Sequence, residues 1–260
     1  MSYADILYTV ADSVATVAID RPARLNAITG QTLAELSDAL MRAANDGSVG
    51  VIVITGVGER AFCSGGDIQW EASGGLDGLD YRLGAQIVDH PKPIIARVNG
   101  YALGGGNHLA YFCDLTIAAE HAIFGQSGPK IGAPTGGYTV AHAAAVLGHK
   151  RAREMWMVCR QIPAHQALQW GLVNAVVPKE HLDAEVRRWC EDILALSPSS
   201  LRMVKASFRH QMEPYMHLSL MEIVSRHAPD IFTSGEQQEG AAAFFEKRRP
   251  DFSRWRGGMR

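Results

Sequence analysis

The sequence predicts an α/β fold: a layered core built on a parallel sheet, followed by a helical C-terminal region. Two observations carry this expectation. Up to about Pro178, short β-branched runs alternate with segments of helical periodicity, the pattern of a parallel sheet covered by helices. Beyond Pro178, helical segments follow one another with few strand signals between them. The division expected is residues 1–195 for the core and 196–260 for the helical region. At 260 residues, 47% of them apolar, one core can bury roughly three quarters of the unfolded chain's surface.

Ile6–Val10 and Val14–Asp20 read as two strands joined by a turn at Ala11-Asp12-Ser13. Arg21-Pro22 ends the second. Thr32–Ala44 places Leu33, Leu36, Leu40 and Ala44 at helix-face spacing. Val49–Thr55 is an apolar run too short for a buried helix, and it suits a strand covered on both faces. Pro93–Val98 and Leu115–Ala119 share that character. In the C-terminal region Glu180–Leu196, Pro198–Gln211, Pro214–His227 and Gly235–Lys247 read as helices. There is no 20–50-residue repeat and no low-complexity linker.

A formal charge of -2 gives no global attraction to nucleic acid or membrane. No run approaches the roughly 18 apolar residues of a membrane helix, and the first residues lack the basic and apolar parts of a signal peptide. A cytoplasmic protein is expected. Its four cysteines, Cys63, Cys113, Cys159 and Cys190, are then buried reduced thiols. No His/Cys/Asp/Glu spacing suggests a metal, and no Walker loop, dinucleotide fingerprint or Gly-x-Ser-x-Gly elbow is present.

Chemistry is suggested by two glycine clusters, Phe62-Cys63-Ser64-Gly65-Gly66-Asp67-Ile68 and Asn99-Gly100 through Gly104-Gly105-Gly106-Asn107. Each follows a strand-like run. The second opens a helix expected over Asn107–Phe112, whose free N–H groups face whatever lies at its start. The clusters are either plain turns or a pair of loops aiming two amides at one developing oxyanion. A further Gly-rich stretch between Trp70 and Leu83 (Ser73-Gly74-Gly75, Asp77-Gly78) reads as a mobile loop over a substrate.

These motifs resemble the crotonase (enoyl-CoA hydratase/isomerase) family. Arg21-Pro22-Ala23-Arg24-Leu25-Asn26-Ala27 is similar to the signature after the second strand. The two glycine clusters resemble the oxyanion loops, and Cys113-Asp114-Leu115, Phe124-Gly125-Gln126 and Gly171-Leu172-Val173-Asn174 are further landmarks. Glu246-Lys247-Arg248-Arg249-Pro250-Asp251-Phe252 resembles the C-terminal signature. The resemblance implies a ClpP-like spiral of ββα units, with the C-terminal helices forming homotrimers or hexamers. It implies a CoA thioester as substrate, with no other cofactor required, whose carbonyl oxygen is held by Gly66 and Gly105. The adenine end then lies near Ser64, Asp67 and Ile68, and Arg24 lies near the phosphates. From Phe244 to Arg260 there are six Lys/Arg against two acids. The tail is either a solvated face or, as the resemblance implies for Lys247, part of the phosphate site.

The sequence departs from the family's hydratases. Their two catalytic glutamates match His108 and Gly128 here, so the carboxylate pair that handles water is missing. Phe124 through Gly132, Gly148 through Trp156 and Glu239 through Phe252 are similar to 1,4-dihydroxy-2-naphthoyl-CoA synthases and to ring-opening hydrolases of alicyclic ketoacyl-CoAs. Those relatives make or break a C–C bond through a thioester enolate. In one subgroup of the synthases a bicarbonate replaces a missing carboxylate base, and Gln126, Ser127, Gly128 and Trp156 match its pocket, with Ser for Thr. The Ser-x-Asp of that branch is Ala133-Pro134-Thr135 here, and its C-terminal tyrosine is Phe232.

For acid–base work the sequence leaves His108, Tyr138, Tyr101, His142 and Glu71. His108 stands where a hydratase glutamate faces the thioester, and an imidazole of ordinary pKa, about 6.5, suits proton transfer. Tyr138 follows Gly136-Gly137 and is expected to open a helix at the pocket, with His142 on the same face. Asp67 is expected to brace the oxyanion loop. The leading expectation is Claisen or reverse-Claisen chemistry on a cyclic or β-keto acyl-CoA. The alternatives are hydration or isomerisation without glutamates, and a CoA-thioester-binding protein without turnover.

Overall fold

A computed structural model describes residues 3–76 and 82–256. The chain begins with a hairpin, β1 (Ile6–Ala11) and β2 (Val14–Ile19). Asp12 and Ser13 both take positive φ, the two-residue turn whose twist matches paired strands. Helix α1 (Gly30–Asn45) follows, its first turn closed by a capping box between Thr29 and Thr32. Of the expected face Leu36 and Leu40 are buried and Leu33 and Ala44 half-buried, with Ala39 and Ala43 completing the buried stripe. Next come β3 (Val51–Gly56), β4 (Ala61–Cys63) and the short α2 (Ile68–Trp70), which runs on into a π turn over Glu71–Gly75. The stretch expected to be a loop is therefore helical as far as Gly75, and Asp77-Gly78 lie outside the described residues.

Helix α3 (Leu83–Asp89) precedes β5 (Ile94–Val98), β6 (Tyr101–Leu103) and α4 (Gly105–Phe112). Then come β7 (Leu115–Ala119), β8 (Ile123–Gly125), α5 (Tyr138–Leu147), α6 (His149–Val158), β9 (Ile162–Pro163), α7 (Ala164–Trp170) and β10 (Ala175–Val177). The chain closes with α8 (Leu182–Leu194), α9 (Pro198–Met216), α10 (Leu220–His227) and α11 (Glu236–Phe245).

Two sheets result. One runs β1-β2-β3-β5-β7-β10, antiparallel at the hairpin and parallel thereafter; the other runs β4-β6-β8-β9. The strand pairs β3/β4, β5/β6 and β7/β8 each send their first strand to the larger sheet and their second to the smaller. The central strands β3, β5 and β7 are buried on both faces, as their apolar runs predict, while the edge strand β1 is largely exposed. Ile52 and Ile54 join the main core, while Val51 and Val53 face a second core with Ile95, Ile117 and residues of α8.

The expected helix at Pro214 is displaced. Pro214 lies inside α9, near its end, where its fixed φ fits the helix and its missing N–H loses one late hydrogen bond. The next helix starts at Leu220 instead. The turn between them is used: Leu218 O accepts the N–H of Tyr138 at 2.9 Å, satisfying the start of α5. Helix α9 is pinned to the core by Lys205. Its Nζ donates to Asp114 Oδ2 at 2.6 Å and to Lys92 O at 3.1 Å. No helix among the described residues is long and apolar enough to cross a membrane.

Candidate active site

A cavity of about 810 Å³ opens between the two glycine loops, α2, α4 and the C-terminal region. Its construction starts at Asn26, buried and in the left-handed region. The Asn26 amide donates to Val57 O at 3.0 Å and Ala61 O at 2.8 Å, and its oxygen accepts from Arg21 N at 3.0 Å. This explains the Arg21–Ala27 signature: it ties the loop after β2 to β4. The loop then forms a parallel bridge between Ile28 and Gly66. Ile28 donates to Gly65 O at 2.8 Å and accepts from Asp67 N at 2.9 Å. That pattern spends the groups flanking Gly66 and leaves the N–H of Gly66 out of the ladder.

The second loop requires its glycines. Gly104 sits at φ 50° and ψ −120°, which a side chain resists, and its N–H goes to Gly125 O at 2.9 Å. At Gly106 a Cβ would collide with the carbonyl of Cys63, so α4 begins in contact with the end of β4. Gly105 is the first residue of α4, and its N–H has no helical partner. A Cβ built on Gly105 would stand 3.8 Å from Gly66 N, so the two loops meet at these residues. Among the described residues neither amide enters a backbone hydrogen bond, and both glycines line the cavity.

Asp67 caps α2, accepting from Gln69 N at 3.2 Å and Trp70 N at 3.3 Å, and pairs with Arg21 at 3.4 Å. Glu71, one turn on, packs its carboxyl against Gly66: a Cβ on that glycine would strike Glu71 Oε1. Burial first, and the neighbouring Asp67 second, push the Glu71 carboxyl up to about 7.

On the opposite loop His108 Nε2 bonds Gln126 Oε1 at 2.9 Å, and its ring stacks on Trp156 at 5.4 Å. Burial pushes its pKa down to about 4, with the Gln126 bond only partly offsetting it. The ordinary histidine pKa expected from the sequence is thus corrected: this imidazole is neutral near pH 7. Gln126 Nε2 and Trp156 Nε1 are buried without a hydrogen-bond partner. Both residues line the cavity beside Ser127 and Gly128. Gly128 is required there because a Cβ would meet Thr135 Cγ2.

Tyr138 does not reach the wall. Its ring stacks on Phe112 at 5.4 Å, and its hydroxyl lies 3.4 Å from His142 Nδ1, one layer behind. Phe112 takes the lining position instead. Burial pushes the Tyr138 phenol up to about 12 and the His142 imidazole down to about 4, and His142 Nε2 meets Tyr111 O at 3.1 Å. Tyr101 lines the cavity.

Arg24, Ser64, Asp67, Ile68 and Lys247 also line the cavity, with Arg24 and Lys247 solvent-exposed. So does exposed Lys130, a site residue that the Phe124–Gly132 motif contains but does not mark out. Cys159 is half-buried on the wall, while Cys63, Cys113 and Cys190 are buried and free. Among the described residues no group of three His, Cys, Asp or Glu is arranged to hold a metal.

Two main-chain amides with no hydrogen-bond partner among the described residues meet at the edge of a deep, largely apolar cavity, an arrangement able to receive an oxyanion. The profile of the enoyl-CoA hydratase/isomerase family matches residues 9–255. An enoyl-CoA hydratase from Mycobacterium avium subsp. paratuberculosis K-10 superimposes with a TM-score of 0.84 at 32% identity, covering 97% of this chain and 100% of its own. A carnitinyl-CoA hydratase from Mycobacterium avium gives 0.83 at 33%, covering 96% and 98%. A methylmalonyl-CoA decarboxylase in complex with 2-nitronate-propionyl-CoA gives 0.86 at 27%, covering 96% and 99%. The chain belongs to the enoyl-CoA hydratase/isomerase family of the crotonase superfamily, whose members act on CoA thioesters.

Proposed function

We propose that the protein holds an acyl-CoA carbonyl oxygen on the amides of Gly66 and Gly105, stabilises the thioester enolate, and makes or breaks a C–C bond of a cyclic or β-keto acyl group. The observation that carries this reading is the meeting of those two unpartnered amides at one cavity. Oxyanion donors of this kind act where charge develops, and an enolate oxygen is such a place. The basic side chains Arg24, Lys130 and Lys247 on the cavity wall suit the phosphates of CoA. Ser64 and Ile68 suit contacts with its adenine end.

Breaking a C–C bond is favoured over hydration because the two positions that carry glutamate in hydratases are His108 and Gly128. Neither supplies a carboxylate to activate water. His108, neutral and tethered to Gln126, then shapes the acyl end of the cavity rather than moving protons. The similarity to a protein named as a decarboxylase agrees with enolate chemistry at a thioester. Hydration or isomerisation is the second reading, favoured by the identity to named hydratases and by the carboxyl of Glu71 on the cavity wall.

Gln126 and Trp156 fit the bicarbonate of the naphthoyl-CoA synthase branch, since two buried donors without partners need an acceptor. Those two side chains, with Ser127 beside them, would hold it. Bound there, bicarbonate supplies a base.

Incubation with linear enoyl-CoAs and cyclic β-keto acyl-CoAs, with products assigned by NMR, tests the proposal. A new carboxylate from the cyclic substrate is expected. A new hydroxyl on the enoyl chain would replace C–C cleavage with hydration, and a moved double bond with isomerisation. Binding of both classes without any product would make the protein a non-catalytic CoA-thioester binder. Unchanged turnover in bicarbonate-free buffer would remove the bicarbonate.

A homotrimer, or a hexamer of two trimers, is the assembly we propose. Met203, Val204 and Phe208 on α9 are exposed apolar side chains, and Phe208 is 67% exposed. An apolar face of this kind calls for a protein partner. Light scattering on the purified protein should give a multiple of three chains; a monomer at micromolar concentration would refute it.

A further inference from the structure

We infer that Glu71 is the proton-transfer group at the α-carbon of the bound acyl-CoA, removing its proton when a C–C bond is to be formed and returning one to the enolate after a C–C bond is broken. The inference rests on the enolate reading above and gives the α-proton an acceptor within the chain, for which bicarbonate at Gln126 and Trp156 is the rival. Among the described residues, the carboxylates on the cavity wall are Asp67 and Glu71. Asp67 is committed to capping α2 and to Arg21. Glu71 carries neither duty, and its carboxyl lies against Gly66, one of the two residues that would hold the thioester oxygen. A thioester bound by the Gly66 amide has its α-carbon one bond beyond the carbonyl carbon, and Glu71 and Gly66 line the same cavity. Of the other proton-transfer candidates, Tyr138 and His142 sit behind Phe112, His108 is bonded to Gln126, and Tyr101, though it lines the cavity, is solvent-exposed on β6.

The surroundings keep this carboxyl protonatable near neutral pH. Burial raises its pKa first, and Asp67 raises it further. From α11, Gln237 borders a small secondary cavity together with Glu71, and its Nε2 is buried without a partner. That amide is a neutral donor suited to a carboxylate. The charged neighbours are thus Asp67 and, through it, Arg21; nothing cationic is bonded to Glu71 among the described residues.

In the step assigned, the α C–H bond breaks and its proton passes to a Glu71 oxygen. The electron pair forms the enolate, whose oxygen rests on Gly66 and Gly105. Reversal with a solvent-exchanged proton returns the thioester.

The test uses butyryl-CoA in D2O, with α-deuterium incorporation followed by NMR and binding by calorimetry. The wild type should incorporate deuterium, at a rate that rises with pH through about 7 and then levels, because the ionised carboxylate is the active form. Glu71→Gln should lower that rate by about 10²–10⁴-fold and remove the rise near neutral pH, with butyryl-CoA binding kept. Formate should restore at least tenfold of the lost rate in Glu71→Ala. Exchange in Glu71→Gln within threefold of wild type overturns the assignment. So does a Glu71→Ala variant that binds butyryl-CoA yet gains nothing from formate. A wild type that binds butyryl-CoA but incorporates no deuterium overturns the enolate reading itself, and the role of Glu71 with it.

Discussion

Gly105→Pro should lower kcat/KM by about 10²–10³-fold, the effect of deleting one oxyanion donor, while the protein stays folded. The substitution removes the N–H and puts the proline Cδ where that hydrogen pointed, so it both deletes the donor and crowds the place of the oxygen. Gly105 is the first residue of α4, a position where proline's missing donor costs no helical hydrogen bond. Its φ lies outside the left-handed region, so the ring closure is compatible with the backbone. The added Cβ meets Ile28 Cδ1 at 2.9 Å, the mobile tip of a side chain. Steady-state kinetics on whichever acyl-CoA the product screen identifies, with circular dichroism as the control for folding, decides the matter. Turnover within fivefold of wild type would mean that the Gly105 amide does not contact the reacting oxygen.

Lys205→Ala should destabilise the fold by about 3 kcal/mol, read from urea midpoints at constant m-value. The side chain of Lys205 is 9% exposed and that of Asp114 is 30% exposed, so the effect belongs at the lower end for breaking a buried pair. The loss has two parts. Lys92 O loses a donor, and Asp114 loses its cation at a place where burial already raises the carboxyl's pKa above its ordinary value. Asp114 still accepts from Ile94 N at 2.7 Å, which limits the damage. Adding Asp114→Asn should recover part of the loss, because the stranded charge is then gone. A loss under 1 kcal/mol would class the contact with surface ion pairs.

Much of the frame is legible in the residues. The apolar runs at Val49–Thr55, Pro93–Val98 and Leu115–Ala119 lead directly to β3, β5 and β7, because strands buried on both faces need no polar alternation. The short strands of the second sheet are less visible. β4, β6 and β8 are three residues each, and their pairing is set by tertiary contact rather than by any local period. Helices α6 and α7 escape the pattern reading too: α6 carries His149, Lys150, Arg151, Arg153 and Glu154 in its first turns and buries only Ala152, Met155 and Trp156.

At the site, the glycine clusters were readable because close approach and unusual torsions admit few other residues. Protonation was not. His108 carries the same imidazole in any sequence, and its fall to about 4 comes from burial by residues distant in the chain, among them Trp156 stacked on its ring, with the Gln126 bond opposing the shift. Tyr138 lies behind Phe112 rather than on the wall for a related reason. A helix start can be read from Gly136-Gly137, but which of two stacked rings faces the ligand depends on how α4 and α5 cross.

The cavity is walled at one side by Arg24, early in the chain, and at another by Phe244, Lys247 and Pro250, close to its end. During synthesis the N-terminal hairpin and both glycine loops leave the ribosome long before the residues that complete the enclosure. A nascent chain halted after α8 would carry its oxyanion amides in an open, water-filled cleft. Competence to retain a thioester therefore arrives late in translation, after most of the sheet framework has had time to form.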